Sequence, residues 1–66
     1  MLIVGTIPGR AKVYLDNEYQ GVTPLKAELE PGVHAISIKL EGYRMIAEEV
    51  TVRSGEYTEM DLTLER

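Results

Sequence analysis

The chain holds a single histidine, His34. Histidine is the side chain whose ordinary pKa lies closest to neutrality, so it is the first candidate for proton transfer. Nucleophilic catalysis would need a Ser or Cys placed to give its proton to that ring, and a metal site would need further ligands converging on it. No nucleophile motif and no second histidine accompany His34. Strict alternation sets it on one strand face with Ile36, Ile38 and Leu40. It reads as a structural residue with a hydrogen-bonded ring. Glu48-Glu49 comes nearest to a carboxylate pair, but neighbours in a strand point to opposite faces and cannot flank one scissile bond. Asp16-Asn17-Glu18 offers oxygen ligands, whereas calcium takes roughly six to eight from a loop built for them. Gly5, Gly9 and Gly21 lack the spacing of a phosphate-cradling loop that opens a helix. The expectation is no catalytic, cofactor-binding or metal-binding residue, no nucleic-acid partner, and no enzyme.

The elements that would position these side chains are punctuated by turn residues. Pro8-Gly9, Asp16-Asn17, Gly21 to Pro24, Pro31-Gly32, Gly42 and Ser54-Gly55 separate short stretches rich in Val, Ile, Leu, Tyr and Thr. The spacing predicts strands over 2–7, 11–15, 18–20, 25–29, 33–40, 45–53 and 56–64. Six to seven strands and no significant helix imply an all-β fold, a small antiparallel β-sandwich. Its core should hold Ile36, Ile38, Val50, Val52, Met60 and Leu62, with Leu64 also facing in. Pro31-Gly32 reads as a type II turn. Asp16-Asn17 fits either a two-residue turn pairing Tyr14 with Tyr19 or a three-residue loop pairing Val13 with Tyr19. The second is favoured, because it brings Tyr19 to the core beside Val13. Gly42 should carry positive φ with Tyr43 largely buried behind it, and Tyr57 should be an exposed contact residue.

Sixty-six residues make one domain. A hydrophobic content of 44% is that of an ordinary globule, and without cysteine there is no disulfide staple. The net charge is −4. Residues 1–40 balance at four acids and four bases, while residues 41–66 hold seven acids and three bases. That distribution argues against a polyanion partner, which needs clustered Lys and Arg. It suits a solvated acidic surface, or a patch that meets a basic partner. Met1 to Gly5 is too short to span a membrane and has no basic flank or cleavage pattern, so it is no signal peptide. The same stretch carries no charge. Ile3 and Val4 therefore mark a candidate edge interface for pairing between copies, with a homo-oligomer as the outcome.

Several motifs together resemble the PEGA family of small β domains. They are Pro8 with Ala11, Val13-Tyr14-Leu15-Asp16, Tyr19, Gly21, Thr23-Pro24-Leu25, Leu29, Pro31-Gly32, His34, Ile36 and Gly42-Tyr43. The resemblance covers residues 6–64. Two departures are visible: the glycine of the Pro-x-Gly-Ala pattern sits one place early, at Gly9, and Asn17 follows Asp16 where the family has glycine. The resemblance implies a non-catalytic protein-interaction or spacer module, excised from or related to a larger modular protein. It also implies neighbouring domains as partners and an extracytoplasmic or cell-surface setting. Its structural turn and core positions would be Pro24, Pro31, Gly32, His34, Gly42 and Tyr43.

Overall fold

Alternating apolar residues between turn-forming pairs give seven strands and no helix in a computed structural model that describes residues 1–66. They are β1 (Leu2–Ile7), β2 (Lys12–Leu15), β3 (Glu18–Val22), β4 (Leu25–Ala27), β5 (Gly32–Lys39), β6 (Ile46–Val52) and β7 (Thr58–Thr63). Two sheets pack as a sandwich, one ordered β4-β1-β7 and the other β3-β2-β5-β6. The expected all-β sandwich is therefore what forms, with one exception to antiparallel pairing. The first and last strands run parallel, Leu2 beside Thr58 through Ile7 beside Thr63.

This topology corrects the reading of the N-terminal strand. Strand β1 lies at the centre of its sheet, paired with β4 on one side and β7 on the other. Ile3 and Val4 have no open backbone edge, and Val4 is fully buried. The four edge strands are β3, β4, β6 and β7, and each carries a charged residue: Glu18, Lys26, Glu48 with Glu49, and Glu59 with Asp61. Charge on an edge discourages pairing with another chain.

The core lies between the inner faces. Leu2, Val4, Val13, Leu15, Ile36, Ile38, Val50 and Val52 are buried, as are Ala11 and Leu64. Met60 and Leu62 pack against this cluster but remain half-buried, because β7 is an edge.

The hairpin at 16–17 takes the other of its two registers. Tyr14 faces Tyr19 and Leu15 faces Glu18 across a two-residue turn, and both Asp16 (φ 51°) and Asn17 (φ 68°) are left-handed. Those angles make a type I′ turn, whose twist matches the strands it joins. The register then shifts, Val13 facing Gly21. Val13 thus reaches the core, while Tyr19 lies on the outer face at 55% exposure against Tyr14. Strand β3 runs through Gly21, where a break was expected; that residue has φ 137°, open to glycine alone.

The Pro8 to Ala11 turn shows what the early glycine does. Arg10 sits where the Pro-x-Gly-Ala pattern has glycine, and it takes φ 63°. A left-handed conformation costs a non-glycine residue about 1 kcal/mol, offset in part by the greater unfolded-state freedom of glycine. Arg10→Gly is expected to stabilise the fold by about 0.5 kcal/mol. The midpoint of urea unfolding should rise at constant slope; an unchanged or lower midpoint would contradict the strain.

Candidate functional site

His34 enters the sandwich end at the start of β5, half-buried, with both ring nitrogens engaged. Nδ1 lies 2.6 Å from Oδ2 of Asp16, and Nε2 lies 2.7 Å from the carbonyl oxygen of Glu30. A carboxylate and a carbonyl can only accept, so both bonds form only when the ring carries both protons. Asp16 also accepts the Ala35 N–H on Oδ1 at 3.0 Å, and its own N–H donates to the Ala35 carbonyl. One imidazolium therefore ties the β2–β3 turn to the loop that precedes β5. The bond from Asp16, then that to the Glu30 carbonyl, raises the His34 pKa above its ordinary 6.5, against the opposing effect of burial. The bond from His34, then that from Ala35 N–H, lowers the Asp16 carboxyl below its ordinary 3.8.

An Asp-His pair supplies two of the three members of a hydrolytic triad. In that chemistry the second ring nitrogen takes the nucleophile's proton. Here that nitrogen is held by the Glu30 carbonyl, and no hydroxyl or thiol lies beside it. The pair fixes a loop and is not poised as a base. The Glu48 and Glu49 side chains leave β6 on opposite faces, opposite Ile36 and Ala35 respectively. No three His, Asp or Glu side chains are gathered to hold a metal ion.

The latch has a testable pH signature. A raised histidine pKa contributes stability fully below pH 6.5 and loses it as pH rises through the folded value. A lowered carboxyl contributes above 3.8 and loses it as pH falls through the folded value. The contribution is complete between those ordinary values. Thermal melts from pH 5 to 9 should show wild type losing stability on the alkaline side relative to His34→Gln. Parallel pH profiles would refute the doubly protonated ring.

The latch also corrects the Pro31-Gly32 turn. The Glu30 carbonyl takes the His34 ring in place of the Val33 N–H, and Gly32 has φ 136°, far from a type II value. A regular type II turn forms instead at Leu40 to Tyr43, where the Tyr43 N–H donates to the Leu40 carbonyl at 3.0 Å and Gly42 has φ 84°. Open space surrounds a Cβ at Gly42, so Gly42→Val meets backbone strain alone. It should cost about 1–2 kcal/mol by chemical denaturation; wild-type stability would rule the strain out. The Tyr43 ring packs on the core but is only half-buried, under the Arg66 guanidinium at 5.4 Å. Its hydroxyl ties no backbone group.

Pro24 follows the one buried polar residue, Thr23, 1% exposed. The Ala11 N–H donates to Thr23 Oγ1 at 3.0 Å, the two Thr hydroxyls of residues 23 and 6 are 2.6 Å apart, and Thr6 Oγ1 donates to the Pro8 carbonyl at 2.8 Å. Because Thr6 spends its only proton on Pro8, the Thr23 hydroxyl must donate to Thr6. Backbone bonds from Arg10 N–H to the Thr23 carbonyl and from Thr23 N–H to the Ala11 carbonyl complete the clasp. Sequence reasoning counted Thr23 only as a motif residue and missed its buried hydroxyl, although a Thr before Pro between two strands was the available signal. It also read Asp16 as a turn residue and weighed it as an oxygen ligand, but missed its role as the partner of His34.

Two small packed sheets, with His34, Asp16 and Thr23 hydrogen-bonded at the connections between strands, define a small all-β module. The chain belongs to the PEGA domain family, whose model matches residues 1–66. A search of the curated proteins finds no match to it.

Proposed function

We propose that this domain is a non-catalytic spacer or protein-interaction module of a modular protein, in the cell-surface setting that the family resemblance implies. The observation behind this reading is the parallel pairing of β1 with β7. The chain enters at Leu2 beside Thr58 and leaves at Thr63 beside Ile7, so its two ends lie at opposite ends of one strand pair. Six residues at about 3.3 Å each set them roughly 20 Å apart. Domains built this way can be strung end to end, each adding length, whereas adjacent termini would fold a string back on itself. The envelope is elongated, 35 × 18 × 16 Å. The His34 ring, held at both nitrogens, agrees with a structural task.

Small-angle scattering from two copies fused head to tail tests this. The maximum dimension should approach twice that of one copy; a side-by-side particle would overturn the spacer reading. A thermal-shift panel of divalent ions and nucleotides tests the non-catalytic part. Saturable stabilisation at micromolar ligand would replace it with a binding function, since a hundredfold excess over Kd adds about 2.7 kcal/mol.

A further inference from the structure

The bases of the first forty residues balance the acids in sequence, but folding segregates them. Arg10, Lys12 and Lys39 line one concavity on the outer face of the four-stranded sheet, together with Tyr14, Leu40 and Glu41. Lys12 and Lys39 are directly opposite each other in the β2–β5 register. Like charges in that relation destabilise a sheet. No carboxylate pairs with either lysine or with Arg10, the sole ion pair of the protein being Asp16 with His34. Arg10 adds a left-handed backbone strained for its residue type. Two locally unfavourable choices, the opposed lysines and the left-handed Arg10, thus meet at one concavity. Of the acids that balance these bases in the sequence count, Asp16 has its carboxylate engaged with His34.

We infer that this face docks an extended acidic segment of a partner protein. The inference rests on the interaction-module reading and gives it a surface. Three unpaired cations in one concavity complement alternate carboxylates of an extended chain, which recur about every 6.6 Å. Glu41 at the rim opposes them and limits the charge the site accepts. The aromatic side of the site disfavours a stacking ligand at Tyr14. Lys39 Nζ covers the Tyr14 ring at 5.2 Å from its centroid, and Tyr19 packs against it with centroids 5.5 Å apart and planes inclined at 59°. A sugar or nucleobase would have to displace Lys39 to stack on Tyr14. Exposed Met45, beside Lys39 and Tyr14, and exposed Tyr19, packed against Tyr14, supply apolar contact.

Titration of the isotope-labelled domain with hexaglutamate, followed by amide shifts, tests the assignment. In about 20 mM salt the shifts should centre on Lys12, Tyr14, Tyr19 and Lys39, and they should fade at about 300 mM as screening shortens. Lys12→Glu should weaken binding at least tenfold while its thermal midpoint holds or rises, because the variant turns the opposed lysines into an attractive pair. Glu41→Gln should tighten binding severalfold. No shifts at millimolar peptide, or undiminished binding by Lys12→Glu, would overturn the site. Tighter binding of an oligogalacturonate than of the peptide would overturn the partner class. Either failure leaves the extended tandem particle untouched, so the spacer reading stands or falls separately.

Discussion

Thr23→Val is expected to cost about 2–3 kcal/mol of folding stability. The side chains are nearly the same shape, so the loss comes from hydrogen bonding. Valine cannot accept the Ala11 N–H, and Ala11 is fully buried, which denies that donor a replacement water. An orphaned buried donor costs about 1–3 kcal/mol, and the donated bond to Thr6 is lost as well. For a chain of this length, total stability is of the order of 3–10 kcal/mol, so the fraction lost is large. Thr23→Ser keeps both bonds and removes one methyl group, for about 1 kcal/mol. Urea unfolding of the three proteins should rank them wild type, Ser, Val. A valine variant within about 0.5 kcal/mol of wild type would show that the relay holds nothing.

The clasp marks where sequence reading stops. Elements with a strong local signature were legible: the alternation of residues 33–40 became β5 within one residue at each end, and the turn glycine at 42 took its positive φ. What was not legible depended on partners far along the chain. Asp16 and His34 are eighteen residues apart, and Thr6 and Thr23 seventeen. No local pattern announces either pair. The 16–17 hairpin was misjudged because core placement of Tyr19 was assumed, whereas its register follows from two adjacent left-handed residues. The uncharged first strand was read as an open edge. A strand without charge also suits the centre of a sheet, where no edge needs guarding. The charges on β3, β4, β6 and β7 decide between the two, and they can be weighed only once the pairing order is known. The basic face was hidden in the same way. A linear tally places Arg10, Lys12 and Lys39 in a neutral half, and only the β2–β5 register sets the two lysines opposite each other.

Ile38→Ala is expected to have the largest effect of any single core truncation, about 3–4 kcal/mol. Ile38 is fully buried on the inner face of β5 and faces Val13 on one side and Ile46 on the other. Deleting its outer methyl and methylene groups removes transfer free energy and leaves a cavity that two paired neighbours, held by their ladders, cannot collapse to fill. Redundancy is scarce, because only 11 of 66 residues are buried and most of those form a single cluster. Val33 on the same strand provides the control. It lies on the opposite face and is 62% exposed, so Val33→Ala should change stability by no more than about 0.5 kcal/mol. The contrast isolates the strand's two-residue period from its composition. Equilibrium unfolding at matched slope would measure both. Comparable losses at the two positions would mean that the sandwich does not bury the face the alternation assigns to it, and a loss under about 1 kcal/mol at Ile38 would mean that the core repacks around the gap.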